Sequence, residues 1–396
     1  MYSACILKKE KELRIKNGHP WVFRGDIAEY RGEIEPSDIV QVCDSNGEFL
    51  AWGYINPLSK ITVRILSRRQ DEVIDKNFFY KRLKTALELR KQLASNDTSY
   101  RLFFAESDGI PGLIIDRYND YLVIQTLTLG VETRKQSIIS GLIDLLAPKG
   151  IFEKSNVKSR ELEGLQPQSQ LLYGDVPDVI EIQQDGLIFL VDVEQGQKTG
   201  FFLDQRENRR AFAKYVKAGD KVLDCFCYTG SFALIAARKG AQVTGLDASR
   251  RAIEISQNAA KINKLENTCH FEEADVLPTL RELDRTGQQF DVIVLDPPAF
   301  AKDQKSIQGA MRGYKEINLR AMKLLKEGGF LLTCSCSQHI DESSFLNMLQ
   351  IAAHDVQRRL KILEIRGQSW DHPIDVNFPE SRYLKCVIAA VYEVNY

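Results

Sequence analysis

The feature that most restricts this chain is a run of alternating apolar strands and helices after about residue 186, in which strand after strand ends on an acid. Lys221 to Cys225 leads to a helix over Ser231 to Lys239, and Gln242 to Asp247 leads to one over Arg250 to Asn263. Asp291 to Leu295 leads to one over Tyr314 to Leu325, and a further strand runs from Gly329 to Cys334. Apolar strands joined through helices predict a parallel sheet covered on both faces, a Rossmann-like α/β domain. Ligands of such sheets bind beyond the carboxyl ends of the strands. Asp224, Asp247, Asp275 and Asp296 stand there in order.

The first of these turns, Cys225-Phe226-Cys227-Tyr228-Thr229-Gly230-Ser231, holds a single glycine. A dinucleotide site uses several glycines to bring backbone up to a pyrophosphate, so the ligand expected here lacks one. Asp247, after the second strand, can accept hydrogen bonds from both hydroxyls of a ribose, and Asp275, after the third, can accept from an adenine amino group. Together they describe an adenosine pocket, although Asp275 taken alone could simply cap the next helix.

The ordered acids, with Asp296-Pro297-Pro298-Ala299-Phe300, resemble the motifs of class I S-adenosylmethionine-dependent methyltransferases over roughly residues 190 to 396. The resemblance implies S-adenosyl-L-methionine as cofactor, held by Asp224, Phe226, Tyr228, Thr229, Gly230, Asp247, Ala248, Asp275 and Pro297. Lys198-Thr199-Gly200-Phe201-Phe202-Leu203-Asp204-Gln205-Arg206 resembles a segment that closes over the cofactor in an RNA-modifying branch. It implies Asp204 and Gln205 at the cofactor's edge.

Two chemistries fit an Asp-Pro-Pro turn. An exocyclic amine is itself a nucleophile and needs only positioning. Cytosine carbon 5 is a poor nucleophile until a thiolate adds at carbon 6, so its methylation needs a cysteine beside the base. Ser335-Cys336-Ser337, leaving the strand Leu331-Leu332-Thr333-Cys334, resembles the sixth motif of RNA cytosine-5 methyltransferases. That match implies Cys336 as nucleophile, leaves Cys334 inside the strand, and gives Asp296 the role of stabilising the protonated N3 of the base. Dual-cysteine relatives carry a second cysteine where this chain has Ala299, so another group, such as water, would take the carbon-5 proton. The competing readings are a buried, inert Cys336, a turn-capping Asp296, and zinc at Cys225, Cys227, Cys334 and Cys336, whose spacing departs from the usual zinc pattern. Arg312, Tyr314 and Lys315 follow on the same side and are candidates for holding phosphate or stacking a base, or for a solvated helix start.

Residues 1 to 75 read as short strands with turn punctuation, a small β-barrel; a helix over 76 to 97 bridges to an α+β unit reaching residue 188, with 157 to 180 expected to be loop-rich. Residues 189 to 396 form the methyltransferase-like domain. Gly18-His19-Pro20-Trp21-Val22-Phe23-Arg24-Gly25 resembles the start of the RNA-binding PUA domain in large-subunit (23S) ribosomal RNA cytosine-5 methyltransferases, a resemblance shared by Glu106-Ser107-Asp108-Gly109-Ile110-Pro111-Gly112 and Phe378-Pro379-Glu380-Ser381. It extends the likeness to the whole chain. It implies 23S ribosomal RNA, or a large-subunit precursor, as partner, gripped by Lys16, Trp21, Arg24, Arg312 and Lys315, and leaves a homodimer open. A guanine methyltransferase on the same RNA and a non-catalytic ribosome assembly factor are the alternatives.

The formal net charge of −1 gives global attraction to RNA no support. Locally, Lys8, Lys9, Lys11, Arg14, Lys16 and Arg24 face only Glu10 and Glu12. No run approaches the roughly 20 apolar residues of a membrane span, and Met1 to Arg14 lacks a signal-peptide core. A cytoplasmic, metal-free protein is expected, its eight cysteines free thiols.

Overall fold

The structure, a computed structural model, describes residues 3–94, 97–301 and 306–394. The chain separates into two units: Met1–Ile180 with Asp192–Leu203 and Asp371–Ser381, and Glu181–Val191 with Asp204–Trp370 and Arg382–Tyr396.

In the first unit, β1 (Ala4–Leu7), β2 (Trp21–Phe23), β3 (Ile27–Arg31), β4 (Ile39–Cys43), β5 (Phe49–Ile55) and β6 (Ile61–Ser67) form a six-stranded sheet ordered β2-β6-β5-β4-β1-β3. Side chains alternate across a strand. Val22, Val40, Val42, Val63 and Ile65 thereby share one core with Ile15 of the short α1 (Glu12–Lys16). The next helix, α2 (Lys76–Leu93), starts where the Asp75 carboxylate accepts the N–H groups of Asn77 and Phe78 at 2.9 and 3.0 Å, satisfying two otherwise orphaned donors. It ends before the residue 97 expected from its periodicity, and residues 95 and 96 lie outside the described ones.

The second sheet is ordered β11-β10-β9-β8-β7, from β7 (Ser99–Phe104), β8 (Leu113–Tyr118), β9 (Tyr121–Thr126), β10 (Gly150–Ser155) and β11 (Gln168–Gly174), with α3 (Leu129–Glu132) and α4 (Lys135–Leu146) between β9 and β10. The loop expected over 157 to 180 therefore contains a strand. As an edge strand exposed along most of its length, β11 has no apolar alternation to announce it.

A two-stranded sheet of β12 (Val179–Gln184) and β13 (Leu187–Asp192) precedes the layered part of the second unit. There follow α5 (Arg206–Phe212), β14 (Lys221–Cys225), α6 (Ser231–Arg238), β15 (Gln242–Asp247), α7 (Arg250–Ile262), β16 (Cys269–Glu273), α8 (Val276–Arg285) and β17 (Phe290–Leu295). The chain continues with α9 (Ile307–Leu324), β18 (Leu325–Ser335), α10 (Glu342–Asp355), β19 (Arg358–Arg366) and β20 (Lys385–Glu393). The seven strands are ordered β16-β15-β14-β17-β18-β20-β19; the first five are parallel, and β20 runs antiparallel between β18 and β19. The order reverses beside β14, which is where a doubly wound sheet opens its ligand crevice. The expected Rossmann-like sheet is thus present. α9 begins a full two turns before Tyr314, where Gly309 and Gly313 had weakened the helical pattern.

Candidate active site

The turn after β14 is held in a backbone form that few residues adopt. Phe226, Tyr228 and Gly230 all have positive φ, at 62°, 48° and 77°. Gly230 opens α6, and a Cβ there would come within 2.9 Å of the Phe271 ring and the Ser256 side chain. For Phe226 and Tyr228 the left-handed form costs about 1–3 kcal/mol each, so the surroundings must impose it. Asp247 does so, accepting the Tyr228 N–H at 2.9 Å with one oxygen and the Ser249 N–H at 2.9 Å with the other. Thr229 is buried in this turn, and Ala248 is exposed beside Asp247.

Asp224 is fully buried: one oxygen accepts the Ala233 N–H at 2.9 Å, while Oδ1 has no partner among the described residues. Burial pushes its carboxyl well above the usual range, opposed by the Ala233 bond and reinforced by the charges of Asp296 and Asp247. These three acids therefore share one field. Asp275 is exposed and caps α8 through the Leu277 N–H at 3.2 Å. Asp204 is buried, receiving the Tyr383 hydroxyl at 2.5 Å.

Parallel register pairs Leu295 with Thr333, so the Asp296-Pro297 turn and the Cys334-Ser335-Cys336 segment leave the sheet side by side. Gln205 joins them: its Nε2 donates to Asp296 Oδ1 at 2.9 Å and lies 3.5 Å from Cys334 Sγ, while its Oε1 accepts from Asn208 Nδ2 at 2.7 Å. Cys334 is locked in the strand opposite Cys386, and burial followed by the hydrogen bond with Cys386 pushes its thiol well above the usual range. Cys336 is the half-buried member of an otherwise buried set of free cysteines, with Sγ 3.9 Å from the Pro297 carbonyl oxygen. Ser337 pins the loop by accepting the Ala301 N–H at 3.2 Å and lying 3.0 Å from the Tyr314 hydroxyl.

Tyr314 does not stack bases. It is fully buried, with its ring 4.7 Å from Phe300 and 5.8 Å from Phe345. Arg312 is exposed on the same helix, whereas Lys315 pairs with Asp355 at 2.6 Å. In the first unit, Lys16 is shared between Glu12 and Asp44, and Arg24 Nη2 donates to the carbonyls of Pro57, Leu58 and Ser59. The Trp21 indole donates to Glu106 at 2.8 Å, its ring edge-on to Phe378 at 4.7 Å. Sequence patterning missed the Gln205–Asp296 contact and Lys385, whose Nζ donates to the Ser337 carbonyl at 2.7 Å. Both depend on contacts between residues far apart in the chain.

Residues 164–364 match the family of S-adenosylmethionine-dependent methyltransferases, and residues 5–68 match the PUA-like domain. Ribosomal RNA large subunit methyltransferase I of Tolumonas auensis is 42% identical over 98% of this chain and 99% of its own length. The proteins of that name from Aliivibrio fischeri and Photobacterium profundum are 41% and 42% identical over 97% of this chain and 98% of theirs. The chain belongs to the ribosomal RNA large subunit methyltransferase I family. Two solved structures share the family member's fold over 98% of this chain and 99% of theirs: a candidate methyltransferase complexed with SAH (TM-score 0.85, 24% identity) and one from Streptococcus mutans (TM-score 0.83, 23% identity).

The cofactor is S-adenosylmethionine. The site fits it: a cationic sulfonium and ammonium suit a rim where the charges of Asp247 and Asp296 act on the buried Asp224 and one carboxyl oxygen of Asp224 lacks a donor. Among the described residues, no helix is long and apolar enough to cross a membrane.

Proposed function

We propose that this family member methylates carbon 5 of a cytosine in large-subunit (23S) ribosomal RNA through a covalent bond to Cys336. The observation that carries this reading is the pairing of a half-buried thiol with the Asp-Pro-Pro turn, Cys336 Sγ lying 3.9 Å from the Pro297 carbonyl oxygen while the neighbouring Cys334 is sealed in the sheet. A guanine amine has no use for such a thiol.

Bound S-adenosylmethionine supplies the electrophilic methyl group. Cys336 adds to carbon 6, and the displaced electron pair moves through the ring to N3, where Asp296 stabilises the added proton. Carbon 5 is now nucleophilic. Once it carries the methyl group, water takes its proton, the thiolate is expelled from carbon 6, and N3 returns its added proton to solvent. Gln205 holds Asp296 for this task. Asp247 with Ala248 would hold the ribose and Asp275 the adenine, and Asp224, Phe226, Tyr228, Thr229, Gly230, Pro297 and Asp204 would complete the cofactor's surroundings.

In this reading the PUA-like segment grips RNA, Lys16 and Arg24 exchanging protein partners for phosphates and Trp21 offering its half-buried ring, and in the methyltransferase domain Arg312 and Lys315 hold phosphates too. Segments 1–75, 76–188 and 189–396 then divide gripping, spacing and chemistry, in a cytoplasmic setting. Digesting methylated large-subunit RNA to nucleosides tests it by mass spectrometry. 5-Methylcytidine is expected; methylguanosine would replace this reading with the amine chemistry, and no methylated nucleoside would leave a non-catalytic RNA binder.

A further inference from the structure

Lys385 is an unusual residue to find inside this sheet. Only 3% exposed, it opens β20 at the position paired with Ser335, one residue before Cys336. Its Nζ donates to the carbonyl oxygens of Ser337 at 2.7 Å and Tyr383 at 2.8 Å. Among the described residues, no carboxylate lies within ion-pair distance of it. A buried ammonium is costly without a compensating anion, and carbonyls engage only two of its three N–H groups. Among ionisable neighbours, Cys336 acts on it first, ahead of Asp341 at the start of α10 and of Arg382. On α9 the Tyr314 hydroxyl lies 3.0 Å from Ser337 Oγ and feels the charge of Cys336, and Asp296 acts on Cys334 two residues earlier.

We infer that Lys385 is the positioning residue of the nucleophile, an ammonium fixed by two carbonyls so that the Cys336 thiolate is its missing counter-ion. The inference rests on the covalent-cysteine reading for its purpose. When the thiol ionises beside a neutral amine, the S–H bond breaks, the N–H bond forms, and the site's net charge does not change. The pair is thus created without burying new net charge. Burial lowers the lysine to about 8, against the opposing pull of Cys336, which brings the amine towards the range in which it can take a proton from a thiol. Two strands contribute, because β20 is inserted beside β18 and the loop carbonyl of Ser337 orients the amine that serves Cys336.

The test is the pH dependence of Cys336 alkylation by iodoacetamide in the full chain, followed by mass spectrometry of the Cys336 peptide. The other seven cysteines are buried, and Cys336→Ala supplies the blank. In the native protein the alkylation midpoint should lie below that of the same chain unfolded in urea. Lys385→Met, and Lys385→Gln as a variant that keeps a donor for the carbonyls, should raise the midpoint by about one pH unit and slow alkylation at pH 7 roughly tenfold. Lys385→Arg should restore most of it. A native midpoint at or above the unfolded one, or an unchanged profile in either folded neutral variant, overturns the inference. No RNA is present, so failure of the cytosine reading shows separately, as absence of 5-methylcytidine from wild-type protein whose alkylation profile is as expected.

Discussion

The rim of the seven-stranded sheet and the basic segment of the PUA-like region hold their functional residues in opposite ways. At the rim, strand ends and strained turns leave bonding capacity unused: the buried Asp224 keeps an oxygen without a donor, and the two oxygens of Asp247 each accept one backbone N–H although each can accept another. In the basic segment the three side chains expected to grip RNA are already engaged, Lys16 by Glu12 and Asp44, Arg24 by three carbonyls, Trp21 by Glu106. A ligand at the rim takes up unused bonding capacity, whereas RNA at the basic segment must displace partners. Substitutions at the rim should therefore be severe, and single substitutions in the basic segment mild.

The largest contrast is between two cysteines. Cys336→Ala should abolish methyl transfer, while Cys334→Ala should retain it with a packing cost of about 1 kcal/mol, visible as a few degrees in Tm. Activity in a folded Cys336→Ala protein would break the comparison at its strongest point.

Asp247→Ala comes next. Hydrogen bonds to a charged acceptor contribute about 1.5–3 kcal/mol each, so loss of two to the cofactor should weaken binding at least tenfold. Titration calorimetry on folded protein would read this directly, with Tm lowered because the Tyr228 and Ser249 N–H groups lose their acceptor, and unaltered affinity would remove Asp247 from the site.

Gln205→Leu separates two roles for one residue. The structure joins its amide to Asp296, so kcat should fall roughly tenfold, the loss of one such bond, while cofactor Kd changes less than about twofold. A reversed pattern, with Kd raised and kcat intact, would return Gln205 to the cofactor's edge alone.

The smallest effects belong to Lys16→Ala and Arg24→Ala. Each should weaken RNA binding only about two- to threefold and lower the salt slope by no more than about 0.7, because either side chain must give up bonds within the protein before it can hold a phosphate. A tenfold loss from either would show that the basic segment is not self-satisfied in the way its hydrogen bonds and ion pairs indicate.

Much of this was legible because parallel strands buried on both faces read as apolar runs, and their ends carry Asp224, Asp247, Asp275 and Asp296 at recognisable intervals. Cys336 stood out by its neighbours in the motif, and the structure adds that it is half-buried while Cys334 is sealed. What stayed hidden follows from topology and exposure. β11 lies at an edge with both faces largely exposed, so it has no period. Lys385 reaches Ser337 only because β20 inserts antiparallel beside β18, and Gln205 reaches Asp296 from 91 positions earlier in the chain. Tyr314 misled because a tyrosine beside Arg312 and Lys315 reads as surface, whereas α9 turns it into the core against Phe300 and Phe345. Charge patterning exposed the basic segment without revealing that Lys16 and Arg24 already have partners within the protein.

The central claim is a covalent bond between Cys336 and the base, and substrate RNA carrying 5-fluorocytosine tests it most directly. Fluorine replaces the proton whose departure permits elimination, so the adduct cannot collapse after methyl transfer. With S-adenosylmethionine present, wild-type protein should give a shifted RNA–protein band that survives denaturing electrophoresis, Cys334→Ala should give it too, and Cys336→Ala should not. A wild-type enzyme that methylates unmodified RNA yet forms no such band, or a band that persists in Cys336→Ala, would contradict the account.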